Sequence, residues 1–353
     1  MISEATVKSF ELLFKICSLL KIGVYKWKLP DGDMEIAGSG HLILGFVNYA
    51  VLCGTCLNLV YYQVGLWYTY VAAISINNLL NIQQIMQCFR RLLVVHRDYC
   101  DRYCLEVTAK DTFAKLIRIF VRVAIPQSAV FVVPFFLEPM SRNFLYRFIF
   151  SGGKYSWSFW FYNLIEFYIT LSSWFPPFLQ SFIVAFHALS CTYWLEQMRY
   201  GKNQLIMNDR KTVSKMYQTW QLLMAEMNSC FSPLFWPTFI TGNIFLHTYC
   251  TFAALKLHET LQLEMYFTLT SYALGWAFVE LVMYRLLGNI HGKSQDFIKS
   301  WTGTVSFRNR KLLESFRPLG IRVGSMYVIR ESTALTIILI VSNLVVQAVL
   351  LHR

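Results

Sequence analysis

The residues best placed to do chemistry in this sequence are amides set among aliphatic side chains. In the run Ser332–Leu351 nearly every position is Ile, Leu, Val or Ala, yet it carries Ser332, Thr336, Asn343 and Gln347. At about 100° per residue these four fall within roughly 60° of one another on a helix. An amide is costly in hydrocarbon, so such a stripe either docks against neighbouring helices of the same chain or faces water. If it faces water where several copies of the helix meet, Asn343 and Gln347 form a neutral, amide-lined constriction. Leu344 and Val346 lie beside them as candidate gating residues. Without a ring of carboxylates, a pore of this kind discriminates poorly among cations.

Other polar groups lie inside apolar blocks. Asn77, Asn81, Gln84 and Cys88 share one helical face, which suits hydrogen bonding between packed helices. Glu166, His247 and Glu280 are ionisable groups at positions expected to be deep in a membrane. Such groups either serve function or pair inside the bundle. Glu166 stands among Trp157, Trp160, Tyr162 and Tyr168, an arrangement that fits a small-molecule pocket or an interfacial aromatic belt equally well. The seven histidines show no metal-ligand spacing. No G-x-x-x-x-G-K-[ST], G-x-S-x-G or H-E-x-x-H pattern occurs, so neither an enzyme nor a cofactor is indicated. The triplet Asp101-Arg102-Tyr103 reads as a charge-paired helix surface.

The elements that must position these residues follow from composition. Of 353 residues, 56% are hydrophobic and 15% charged, a balance that excludes an ordinary soluble domain. The apolar residues gather in blocks of about 20, enough to cross a hydrocarbon core as helices. Seven such blocks are legible: His41–Tyr62, Leu66–Phe89, Ile119–Leu137, Trp157–Leu189, Cys230–Leu255, Met265–Tyr284 and Ser332–Leu351. The fourth contains Pro176-Pro177 and is overlong, so it is expected to kink or to continue beyond the membrane. With the N-terminus inside, 24 Lys and Arg fall on the cytoplasmic side and 5 on the other. The positive-inside rule therefore places the N-terminus in the cytoplasm and the C-terminus outside. The net charge of +12 is accounted for by these loops and by anionic lipid, with no nucleic acid implied.

Phe10–Leu20 reads as an amphipathic helix on the inner membrane surface. The cytoplasmic stretches carry apolar stripes at helical spacing: Met216, Trp220, Leu223 and Met227, then Phe297, Trp301 and Val305. These are expected to extend the spans below the membrane and pack together. No internal repeat or low-complexity segment divides the chain, so residues 1–353 read as a single domain.

This layout resembles the insect gustatory and olfactory receptor superfamily. The likeness is carried by the whole architecture and most specifically by SFRPLGIRVGSMYVIRESTALTIILIVSNLVVQAVLL. There a basic stretch with Arg317 leads through Gly324, Tyr327 and Arg330-Glu331 into the final span. Of the Thr-Tyr and Gln-Phe positions with which gustatory members end, this chain matches the Gln at Gln347. The resemblance implies an all-α membrane protein working as a tetrameric, ligand-gated, non-selective cation channel in the plasma membrane. Cytoplasmic helices at residues 190–229 and 285–323 would anchor a homo- or heterotetramer, and residues 332–351 would line its pore. It implies Gln347, with Asn343, Leu344 and Thr336, as pore residues. It places a small-molecule pocket in the outer half of the bundle, where Tyr70, Phe135, Trp160, Glu166 and Tyr266 are the candidates. Two competing readings remain, a non-conducting scaffold or subunit of the same fold and a polytopic transporter.

Overall fold

Apolar stripes at helical spacing become helices wherever the computed structural model describes the chain. It describes residues 4–19, 25–28, 33–36, 62–103, 114–115, 117–118, 122, 157–207, 210–259, 263–302 and 315–351. The spans expected at 41–62 and 119–137 lie outside these, apart from Tyr62 and Arg122, and so does Phe135. The described helices are α1 (Glu4–Leu19), α2 (Tyr62–Leu80), α3 (Ile82–Tyr103), α4 (Trp157–Met198), α5 (Gln204–Met207), α6 (Arg210–Phe231), α7 (Phe235–Lys256), α8 (Leu263–Thr302) and α9 (Thr333–Leu351). Strands form two antiparallel hairpins, β1 (Tyr25–Lys28) with β2 (Asp33–Ile36) and β3 (Arg322–Val323) with β4 (Tyr327–Val328). Among the described residues α9 and the stretches 177–198 and 269–302 are long and apolar enough to cross a membrane. The protein is an all-α membrane protein.

The chain falls into two compact units. The first comprises Ile2–Ile82 and Lys110–Phe182. In it α1 buries Phe10, Leu13, Phe14 and Cys17, the i, i+3, i+4, i+7 face of an amphipathic helix. That face is covered by protein, where the sequence suggested contact with the membrane surface. Ser9 accepts a hydrogen bond from Arg118 Nε at 3.2 Å, and Gln180 Nε2 donates to the Ile74 carbonyl at 3.2 Å. The block expected as one helix at 66–89 is interrupted at Asn81. The Asn81 side chain folds back on its own helix and donates to the Asn77 carbonyl at 3.1 Å and to its Oδ1 at 3.2 Å. A short amide competing for backbone partners in this way disfavours a regular helix. By contrast, Pro176-Pro177 does not end α4, which runs on for 42 residues. Ser181 Oγ donates to the Pro177 carbonyl at 2.7 Å, the common bond of a helical serine to the carbonyl one turn earlier.

The second unit comprises Gln83–Ala109 and Ile183–Arg353, with Met1. Its core is aromatic: Trp194, Trp220, Trp236, Tyr217 and Tyr284 are wholly buried. The expected stripe Met216, Trp220, Leu223 and Met227 is buried along α6, and Phe297 and Trp301 along α8. Tyr217 stacks between Phe297 and Phe316, with ring centroids 4.8 and 4.9 Å away. Gln84 accepts from Cys230 Sγ at 3.8 Å, so one member of the amide face in the second block does bridge helices. Arg91 of α3 pairs with Glu226 of α6.

His96 of α3 fixes its own protonation state. The Trp194 indole N–H donates to its Nδ1 at 3.0 Å, so the ring proton sits on Nε2, which faces Cys100 Sγ at 3.6 Å. Burial lowers its pKa to about 4 from the ordinary 6.5. The unfolded chain therefore takes up this proton first, and stability is full above about pH 6.5 and declines as pH falls towards 4. Between pH 7 and pH 5 the loss is expected to be about 2 kcal/mol. His96→Gln keeps an acceptor for Trp194 but does not titrate. Thermal melts at the two pH values should show a smaller decline for the variant than for the wild type.

Candidate pore helix and its supports

The spacing of apolar and polar residues on α9 gives it two unlike faces, and the fold decides which is covered. Ala334, Ile337, Val341 and Val345 are buried, and α9 packs on α7 and α8. On the opposite side Ser332, Thr336, Asn343 and Gln347 are all exposed. In angular terms the buried face centres about 150° from the polar stripe. Among the described residues, the stripe is therefore not docked against the chain's own helices. Leu344 is half-buried at the edge of the packed face, and Val346 is exposed. Thr336 Oγ1 donates to the Ser332 carbonyl at 3.1 Å, which satisfies its proton within the helix.

Three glycines set how closely the root of α9 approaches the rest of the unit. A side chain at Gly288 of α8 would run into the backbone of Arg330 and Glu331. One at Gly292 would meet the Glu331 carboxylate at 3.0 Å, and one at Gly320 would meet Val328 and His291. The β3–β4 hairpin turns through Gly324 at φ 55°, a left-handed conformation that favours glycine. Its N–H donates to the Ser232 carbonyl at 3.0 Å, and its carbonyl accepts from Ser232 Oγ at 3.1 Å. Thr333 Oγ1 then accepts from the Arg330 N–H at 2.9 Å where α9 begins.

Above this root, two of the ionisable residues in the apolar blocks meet. His247 Nδ1 of α7 lies 2.9 Å from Glu280 Oε2 of α8, with the carboxylate fully buried. Glu280 Oε1 has no hydrogen-bond partner among the described residues. The pair joins the two helices that carry α9. Its members are 33 residues apart, so sequence spacing does not link them.

The chain superposes along nearly its whole length on solved structures of one receptor. The olfactory receptor OR5 from the insect Machilis hrabei, in complex with eugenol, matches with a TM-score of 0.55 over 98% of this chain and 99% of that one, at 12% identity. A second structure of OR5 from Machilis hrabei matches with a TM-score of 0.55, over 97% of each chain, at 11% identity. The fold is that of an insect olfactory receptor. No sequence-family model matches the chain, and no curated protein sequence does either.

Within the olfactory-receptor fold the remaining described candidates fall in both units. Tyr70 is buried on α2 and Trp160 is half-exposed on α4, both in the first unit. Tyr266 is half-buried on α8 in the second unit and packs edge-on against Phe267 at 5.9 Å. Glu166 falls on α4, with its side chain outside the described ones, and Phe135 lies outside them altogether. The glycine contacts at the root of α9 were not singled out from sequence. Their signal, Gly288 and Gly292 one turn apart on an apolar helix, is visible in retrospect as a surface for close backbone approach.

Proposed function

We propose that this protein is a chemosensory receptor of the insect gustatory and olfactory superfamily, a ligand-gated, non-selective cation channel of the plasma membrane. In this reading residues 1–353 form one seven-span domain, with the N-terminus in the cytoplasm and the C-terminus outside. Four related subunits assemble around α9, which lines the pore. The observation that carries the reading is the exposure of Thr336, Asn343 and Gln347 on the face of α9 turned away from α7 and α8. A polar stripe turned to lipid would leave amides unsatisfied, whereas a water-filled axis shared by several subunits satisfies them. Gln347 and Asn343 then form the constriction, with Leu344 at its flank.

The eugenol complex of the similar receptor supports a small organic ligand. Tyr70, Phe135, Trp160, Glu166 and Tyr266 are the residues proposed to line its pocket. A gustatory role rests on the Gln347 match. Ile340-Val341 and Ala348, which stand where gustatory members carry Thr-Tyr and Phe, favour as a second reading a subunit of the same fold that does not conduct.

Pore exposure can be measured without knowing the ligand. Single cysteines at positions 336, 343 and 347, in protein reconstituted in bilayers, are expected to react with a membrane-impermeant thiol reagent. Reaction at these sites should be at least tenfold faster than at Ser342→Cys on the flank of the helix. Equal, lipid-like protection of all four would sink the pore reading. Four-fold particles with α9 at the axis, together with fast labelling but no ion flux, would select the non-conducting member.

A further inference from the structure

A cavity of about 710 Å³ opens between α6 and the segment that leads through the β3–β4 hairpin into α9. This volume lies within the range of small-molecule sites. Its walls are held by backbone hydrogen bonds. Asn228 Nδ2 donates to the Gly320 carbonyl at 3.0 Å, and its Oδ1 accepts from the Arg322 N–H at 2.9 Å. Gln221 Nε2 donates to the Arg317 carbonyl at 3.3 Å. Arg317 and Arg322 are among the residues that line this space, and both are exposed. Neither forms an ion pair among the described residues, and no carboxylate stands in the lining.

We infer that this cavity is a binding site for an organic phosphate, either a soluble phosphate ester or the phosphorylated head group of a lipid. Each of the two arginines carries a planar guanidinium fork, the group that recognises phosphate oxygens bidentately. The hydroxyl of Ser325 adds a neutral donor in the same lining. A phosphate monoester offers three acceptor oxygens and up to two negative charges, which matches this set better than a lone carboxylate. The site also has a mechanical consequence. Ser232 and Asn228, near the C-terminal end of α6, already hold the hairpin and the segment before it. A bound anion bridging Arg317 and Arg322 would tighten the segment that enters α9, whether or not α9 lines a pore.

The test uses the full-length protein in phosphatidylcholine nanodiscs with inositol hexakisphosphate as the soluble probe. A parallel set of phosphatidylcholine vesicles containing 4,5-bisphosphorylated phosphatidylinositol serves as the lipid probe. At least one probe is expected to bind, and Arg317→Gln with Arg322→Gln should weaken it tenfold or more. Arg285→Gln, an exposed arginine of α8 outside the cavity, should leave binding unchanged. Binding of the soluble probe identifies a free phosphate ester as a sufficient ligand, and binding of vesicles alone identifies a lipid head group. Binding of neither probe overturns the inference. That result includes the case in which a second copy of the chain covers the cavity. Binding that survives the double substitution also overturns it. Should the double variant misfold, Ser325→Glu, which sets a carboxylate in the same cavity, must abolish binding in its place.

Discussion

Alanine at Gly288 is expected to lower the melting temperature of the detergent-solubilised protein, whereas alanine at Gly275 on the same helix is expected to raise it slightly. Both changes gain about 1 kcal/mol of intrinsic helix propensity. They differ in what the new methyl group meets. At Gly275 nothing lies within 4 Å, while at Gly288 the group collides with the backbone of Arg330 and Glu331. A flexible side chain could swing away, but backbone cannot, so the root of α9 must move or α8 must bend. Overpacking of this kind costs about 1–3 kcal/mol, occasionally more, which exceeds the propensity gain through most of its range. A net loss of up to about 2 kcal/mol corresponds to no more than roughly 3 °C in a chain of this size. Valine should be worse, since it adds bulk at the same point and has poorer helix propensity. Under the channel reading, a displaced α9 root should also change current in the absence of ligand. A Gly288→Ala protein that melts at or above the wild-type temperature would show that the close approach is absent.

The second large effect is expected at the buried pair. Glu280→Ala leaves the His247 ring facing a cavity and should cost about 3–5 kcal/mol, the range seen when one partner of a buried pair is removed. Glu280→Gln retains the shape and a hydrogen-bonding group, so it should cost less. The double change His247→Leu with Glu280→Leu removes both polar groups together and should recover much of the loss. The measurement is a thermal melt of each variant, arranged as a double-mutant cycle. Additive single effects would mean that the two side chains do not interact, and the pairing would then be wrong. Because α7 and α8 both carry α9, the same variants should loosen the packing of Val341 and Val345.

What the sequence determined by itself is what depends on neighbours along the chain. The length and apolarity of α9, the 60° polar stripe upon it, and the aromatic faces of α6 and α8 all follow from helical periodicity, which relates residues three and four apart. The all-α membrane class follows from composition and block length. Periodicity relates the positions of a helix to one another but says nothing about which face meets the rest of the molecule. Whether Asn343 and Gln347 were docked or exposed was therefore undecided until the packing of Ala334, Ile337 and Val341 on α7 and α8 settled it. The interruption at Asn81 escaped for a related reason. An amide inside an apolar block fits interhelical bonding as well as a bond to its own helix, and only the rotamer distinguishes them.

Tertiary structure also decided everything built from distant segments. His247 and Glu280 were each conspicuous as ionisable groups in apolar blocks, yet only the alignment of α7 with α8 makes them partners. The contact of Gly288 with Arg330 and Glu331 joins positions on two elements separated by the hairpin. The cavity collects Gln221 of α6 and Arg322 of β3, which are far apart in sequence. The backbone arrangement matches that of OR5 at only 11–12% identity. Many apolar residues can fill the same helix–helix contacts, so one fold is compatible with very different sequences.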